Sequence, residues 1–254
     1  MTSMHFTQNA DGPGYGHFPD LAAAHLVHGV FGRQGGGSVA PYHSLNISLG
    51  VGDDPAVVLA NRARLKQALG IATLVSARQV HGEQILRLTA EPDADFEAEG
   101  YDALVTNCRI GLMIQQADCQ AVIIHDPDTP ALGLAHVGWR GSVVGIIGTT
   151  VRAMVADFGS DPARMQAAIS PALGSCCGEF INHRQELPPW MHAYQVQPNY
   201  FDFPAISVQQ LLEAGLRPER ISRAGLCTRC NPDYFSYRRD RITGRGATVA
   251  ALVG

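Results

Sequence analysis

The chain has 254 residues with 46% hydrophobic side chains, enough for one large domain with a sizeable core. Its 19 basic and 23 acidic residues leave a formal charge of −4 without charge blocks, which excludes nucleic acid as a main partner. No apolar stretch approaches the roughly 20 residues needed to cross a bilayer, and no basic segment followed by an apolar run opens the chain, so the expectation is a soluble cytoplasmic protein with no membrane partner.

In chain order, residues 1–20 are rich in Gly, Pro, Asn and His without apolar periodicity and read as a loose arm, with one α/β domain over residues 21–254. His25 to Phe31 reads as a strand running into the glycine-rich loop Arg33-Gln34-Gly35-Gly36-Gly37-Ser38. Asp54 is a good N-cap, Pro55 suits a first turn and Gly70 a stop, which predicts a helix from Pro55 to Leu69. Short apolar strands are then expected over 74–80, 84–88, 103–106, 112–116, 121–125 and 132–137. A second helix is expected from Val143 to Phe158, with Gly141 and Ser142 at its start offering free amides beside Arg140 for an anion such as phosphate. A strand (165–169), a turn with two vicinal cysteines, a Pro-rich stretch (187–204), a short helix (206–214) and a final strand (247–253) complete the chain. This order describes a single α/β domain with helices covering mixed sheets.

His81, Cys119 and His136 fall at strand ends, flanked by Gly or Asp. Singly, each reads as an ordinary turn or core residue. Together, two imidazoles and a thiolate form the donor set of a zinc site with an open fourth position, able to bring the pKa of a bound water to about 7. Asp118, beside Cys119, is placed to orient an imidazole or to move a proton.

The six cysteines (Cys108, Cys119, Cys176, Cys177, Cys227 and Cys230) are too few for a disulfide framework, and reduced thiols or metal ligands are expected. The Cys176-Cys177 pair reads as a structural turn, with a nucleophilic cysteine as the alternative. Cys227-Thr228-Arg229-Cys230 has the spacing of a redox pair or of half a zinc site, but without a second C-x-x-C it reads as chance spacing. Tyr234 to Arg241 combines aromatic faces with guanidiniums, suited to a planar base and a phosphate.

Several motifs run in order along the chain: Gly32-Arg33-Gln34-Gly35-Gly36, Pro41 to Asn46, Val51 to Pro55, Gln79-Val80-His81-Gly82, Asp102 to Thr106, Ala117-Asp118-Cys119, His136 to Gly141, and Phe235 to Asp240 with Thr243-Gly244-Arg245. Together they resemble the laccase-domain family, described as multi-copper polyphenol oxidase-like and as zinc-containing purine nucleoside phosphorylases and peptidoglycan editing factors. The resemblance implies an α/β fold of the laccase-domain (cytotoxic necrotizing factor-like) kind. It implies zinc on His81, Cys119 and His136, with copper disfavoured because no His-x-His pair occurs.

It further implies phosphorolysis of adenosine, inosine, guanosine and methylthioadenosine to base and ribose 1-phosphate, together with deamination of adenosine. The partners are then purine nucleosides and phosphate, and the oligomeric state stays open with a monomer preferred. On the same resemblance Arg33, Asn46, Gln79, Arg140, Cys177 and Arg239 are expected to bind substrate or phosphate, and His81, Cys119, His136 and Asp118 to act in catalysis. The chain departs from the family pattern at Gly178, where an aromatic residue is usual, and Cys230 has no role that the resemblance supplies. The alternatives are a cysteine-type amide hydrolase editing cell-wall precursors, with Cys119 or Cys177 as nucleophile, and a non-catalytic zinc-stabilised binding protein.

Overall fold

The computed structural model describes residues 4–9, 12–21 and 23–254. The strands in chain order are β1 (His5–Thr7), β2 (Tyr15–His17), β3 (Leu26–Phe31), β4 (Leu74–Arg78), β5 (Ile85–Leu88), β6 (Phe96–Glu99), β7 (Ala103–Thr106), β8 (Gly111–Gln116), β9 (Gln120–Asp126), β10 (Ala131–Val137), β11 (Gln166–Ile169), β12 (Gln195–Gln197), β13 (Tyr200–Phe201), β14 (Ile221–Arg223) and β15 (Gly246–Leu252). The helices are α1 (Pro55–Leu69), α2 (Trp139–Val144), α3 (Ile146–Phe158), α4 (His183–Glu186), α5 (Phe203–Glu213) and α6 (Tyr237–Asp240).

Two mixed sheets carry the fold. One has seven strands in the order β1-β2-β3-β15-β8-β4-β6 and the other six in the order β14-β11-β9-β10-β7-β5. Because side chains alternate along a strand, each sheet offers two apolar faces. Val30, Val75, Leu112 and Ile114 from the first sheet meet Leu104, Ile123, Leu132 and Leu134 from the second in a shared core. The opposite face of the second sheet, with Val105, Val122 and Ala135, packs against Ile147, Val151 and Met154 of α3 and Leu211 of α5. The outer face of the first sheet, with Phe31, Met113 and Val249, is covered by Leu65 and Leu69 of α1. The layers therefore run helix, sheet, sheet, helix, as expected for mixed sheets flanked by helices.

α1 has the expected bounds and caps: the Asp54 side chain accepts the Ala56 N–H at 2.8 Å, and Gly70 stops the helix in the left-handed region at φ 66°. The second expected helix differs. It starts earlier, at Trp139, and breaks at Gly145 (φ 75°), because a glycine in the left-handed region ends α2 and directly precedes α3. Residues 5–7 and 15–17, expected in a loose arm, are instead β1 and β2, paired in sequence onto the edge of β3, and Phe18 and Leu21 behind them are buried. Strands of three residues are too short to show a periodicity, so the composition hid them. Residues 1–3 and 10–11 of that expected arm lie outside the described residues. β6 was also absent from the expected strands; its polar Phe96-Glu97-Ala98-Glu99 pairs in parallel with β4 at the sheet edge. No helix among the described residues is long and apolar enough to cross a membrane.

α3 lies close to β10 at Gly133, where a Cβ would stand 2.8 Å from Met154 Sδ and 3.0 Å from Thr150 Cγ2. Gly133→Val must therefore push α3 off the sheet. The expected cost is about 1–3 kcal/mol, read as a lower midpoint in urea unfolding with the slope unchanged.

Candidate active site

Three strand ends converge on one point. β9 and β10 form an antiparallel pair with Val137 opposite Gln120, so His136 at the end of β10 and Cys119 just before β9 fall side by side. His81 lies in the turn that follows β4, in the left-handed region at φ 61°, and Asp118 holds a positive φ of 87°. Such backbone costs a residue with a side chain roughly 1–3 kcal/mol and persists only where its surroundings hold it.

The holding group for His81 is Asp102, fully buried ahead of β7. Its carboxylate accepts the N–H groups of Val80 (3.1 Å), His81 (2.9 Å) and Gly82 (2.7 Å), and its Oδ1 lies 2.8 Å from His136 Nδ1. One carboxylate thus folds the 80–82 turn and fixes the second imidazole. Burial alone would raise the Asp102 pKa, but the hydrogen bonds from His136, Gly82 and Val80 and the charge of His136 outweigh it and hold the carboxyl below its ordinary value.

With Nδ1 of His136 engaged, its Nε2 is left for the cluster. The ligand atoms of His81, Cys119 and His136 all lie within 4.8 Å of one another, and Cys119 Sγ is 3.8 Å from His81 Nε2. Burial pushes the Cys119 thiol up, yet the His136 charge and the hydrogen bonds from both imidazoles bring it down to about 6. Burial likewise opposes a charge on His136, while Cys119 and Asp102 raise it to about 9. Both shifts run in the direction that favours a thiolate beside an imidazolium when no metal is bound. Gly138 leaves room for the cluster: a Cβ would stand 3.0 Å from His81 Cδ2 and 3.1 Å from Cys119 Sγ and crowd both.

These donors fit a metal ion. They are two ring nitrogens and a thiolate, one imidazole is oriented by a carboxylate, and among the described residues no fourth His, Cys, Asp or Glu joins the group. His125, a conceivable fourth ligand, pairs with His25 at 3.0 Å instead.

The cluster forms part of the lining of a cavity of about 1240 Å³. Trp139, Phe180 and Tyr237 supply aromatic surface there, and Arg140, Arg238, Arg241 and Arg245 supply positive charge. Arg140 stacks on Trp139 at 4.3 Å and Arg241 on Tyr237 at 5.7 Å. Among the described residues neither has a carboxylate partner.

Of the residues expected in the site, His81, Asp118, Cys119, His136, Gln79 and Arg140 line this cavity. Gln79 is tied through its amide to the main chain of Gln115, accepting at 2.8 Å and donating at 2.8 Å. Asp118 does not orient an imidazole. Its carboxylate accepts from Thr228 Oγ1 (2.7 Å) and from the Arg238 N–H (2.6 Å), fixing the wall behind Cys119, while Asp102 takes the orienting role. The amides of Gly141 and Ser142 do not open a helix, since α2 begins two residues before Gly141 and the Ser142 N–H bonds Gly138 O.

Arg33, Asn46, Cys177 and Arg239 lie outside the cavity lining. Arg33 donates to His43 O and Arg239 to four main-chain carbonyls between Thr228 and Tyr234. Asn46 is fully buried and ties Ser48, Asp53 and Arg245 together. In this structure the polar side chains of Arg33, Asn46 and Arg239 serve neighbouring loops and main-chain carbonyls. Arg238 and Arg241, from the segment read as suited to a planar base and a phosphate, line the cavity, as does Arg245, while Asp102, quoted only within a motif, is the carboxylate that meets His136.

The model of the family described as multi-copper polyphenol oxidoreductase laccase matches residues 27–253. A purine nucleoside phosphorylase of Streptomyces coelicolor is 37% identical over 225 residues, covering 85% of this chain and 91% of that protein. One from Geobacillus stearothermophilus is 34% identical, covering 93% and 92% respectively. Among solved structures, that of YlmD from the same organism superposes with a TM-score of 0.87 at 33% identity, covering 98% of this chain and 99% of that one.

Two outcomes follow from the geometry. Asp102→Asn keeps the size of the side chain and removes its charge, and should weaken metal binding by about 10–100-fold in a chelator competition. In metal-stripped protein, the rate of Cys119 alkylation, followed on its own peptide by mass spectrometry, should rise with a midpoint near pH 6. A midpoint at the ordinary thiol value of about 8.5 contradicts the thiolate–imidazolium pair.

Proposed function

The chain belongs to the multi-copper polyphenol oxidoreductase laccase family, and on that premise we propose that it is a purine nucleoside phosphorylase with a zinc ion on His81, Cys119 and His136. The observation that carries this reading is the three-donor cluster in one cavity with aromatic rings and with guanidiniums, of which Arg140 and Arg241 have no carboxylate partner among the described residues. The names of the relatives support an enzyme role and the nucleoside and phosphate chemistry.

The copper label of the family fits these donors poorly. No His-x-His pair exists in the sequence and no methionine lines the cavity, whereas an open set of two imidazoles and a thiolate suits catalytic zinc. Bound zinc would supply a Lewis acid and lower the pKa of water at its open position.

The chain's own residues account for the rest. Trp139, Phe180 and Tyr237 offer flat faces for a purine, which gains from stacking and from leaving water. Arg140 and Arg241, each stacked on a ring and lacking a carboxylate, can hold the phosphate dianion and the charge that develops as the glycosidic bond opens. Asp102 keeps the proton on His136 Nδ1 and so presents Nε2 to the cluster. Adenosine, inosine, guanosine and methylthioadenosine are the substrates of this reading, and the same cavity would also deaminate adenosine to inosine.

A second reading rests on a separate observation: Cys119, His136 and Asp102 follow one another in the order nucleophile, base and carboxylate, as in a cysteine hydrolase. Cys177, the other expected nucleophile, lies among three further cysteines outside the cavity and does not suit that role.

Incubating zinc-loaded protein with inosine and phosphate should yield hypoxanthine and ribose 1-phosphate, and adenosine without phosphate should yield inosine. Absence of both products overturns the proposal. Arg140→Ala should lower kcat/KM for phosphate by about tenfold or more, the loss of one charge-assisted contact. Amide hydrolysis by metal-stripped protein, abolished by Cys119→Ser, would favour the hydrolase instead.

A further inference from the structure

Four of the remaining cysteines meet at a second point. Cys176 and Cys177, read from sequence as a turn, and Cys227 and Cys230, read as chance spacing, have sulfurs all within 4.8 Å of one another. Cys176 Sγ lies 3.7 Å from Cys230 Sγ, and Cys177 Sγ lies 3.5 Å from it. All four are free thiols. A tetrahedral tetrathiolate with metal–sulfur bonds of about 2.3 Å has sulfur–sulfur edges of about 3.8 Å, whereas a disulfide requires about 2.05 Å. The observed separations match the former. The vicinal pair thus supplies the half-site that the sequence lacked.

We propose that Cys176, Cys177, Cys227 and Cys230 bind a structural zinc ion, separate from the ion held by His81, Cys119 and His136. Four soft thiolates grouped this closely suit zinc, and the four thiol protons would pass to solvent as it binds. Four protein thiolates would fill a tetrahedral shell with no open position, and none of the four lines the cavity, which suits a structural role.

The surrounding chain is built for such a group. The Gly174 N–H donates to Cys227 Sγ at 3.3 Å, a contact that stabilises a thiolate. A Cβ on Gly174 would stand 3.0 Å from Cys227 Cβ and 3.4 Å from both Cys176 Sγ and Cys227 Sγ, so a side chain here would crowd the sulfurs.

The position explains what the ion does. Residues 172–177 and 227–230 are otherwise joined by the short bridge between Ala172 and Cys227. From one segment the Leu173 N–H donates to Asp118 O, and from the other Thr228 Oγ1 donates to the Asp118 carboxylate. Glu179 and Phe180, two and three residues past Cys177, are part of the cavity wall. An ion on the four sulfurs clamps both segments that grip Asp118, the neighbour of Cys119.

The test is metal stoichiometry of the full chain by plasma mass spectrometry, with cobalt(II) substitution as an optical report. Wild-type protein should carry two zinc ions, one for each cluster. His81→Ala leaves the four thiols untouched, so it should keep one, and its cobalt form should show the intense sulfur-to-cobalt charge-transfer bands of a tetrathiolate. Cys176→Ser/Cys230→Ser should also fall to one. The proposal is overturned if His81→Ala binds no zinc, if iron occupies the retained site, or if native mass spectrometry finds Cys176 and Cys230 oxidised to a disulfide. The His81→Ala result decides the matter even where the double cysteine variant fails to fold, and it is independent of any nucleoside activity.

Discussion

Everything near the cavity depends on one buried carboxylate. Asp102 accepts three consecutive N–H groups, from Val80, His81 and Gly82, and also contacts His136 Nδ1. Bringing a charge into the interior is costly unless it is fully hydrogen-bonded, and here four donors satisfy it. The same bonds hold His81 in a left-handed backbone it would not adopt alone and leave the cluster-facing nitrogen of His136 free. A single side chain thus turns two strand ends from different sheets into parts of one site.

The two-sheet core makes that economy possible. β4 belongs to the seven-stranded sheet, while β7, β9 and β10 belong to the six-stranded one. Packing of Val75 and Leu112 against Leu104 and Leu134 sets the height of one sheet over the other. The turn after β4 consequently reaches Asp102 and the ends of β9 and β10. The site is a product of sheet packing, and errors in register would displace the cluster as a unit. Behind Cys119, Asp118 is held by Thr228 and Arg238, and Thr228 belongs to a segment that carries two of the four clustered cysteines.

Much of this was legible in the sequence. The α/β character, α1 with both caps, and the strands from β4 to β10 apart from β6 followed from alternation, capping and glycine positions. The triad of His81, Cys119 and His136 was legible because donor residues sat at strand ends. Long-range partners were not. Nothing local says that the Asp102 carboxylate meets the 80–82 turn, that Asp118 is occupied by Thr228 and Arg238, or that Cys176 and Cys177 stand beside Cys230, 53 residues beyond Cys177. Arg33, Asn46 and Arg239 illustrate the converse: charged and amide side chains in a recognisable motif serve main-chain carbonyls and turns as readily as a ligand, and only burial and partners distinguish the two.

The role proposed for Asp102 is to organise an open, three-donor metal centre facing the cavity. It is tested most directly by an anomalous-difference map at the zinc absorption edge from crystals of the zinc-loaded protein. An open centre of this kind gives a peak between His81 Nε2, Cys119 Sγ and His136 Nε2, with Asp102 on His136 Nδ1 and the fourth position opening toward Trp139 and Arg140. Absence of a peak there, or a peak closed off by a fourth protein ligand, would contradict it.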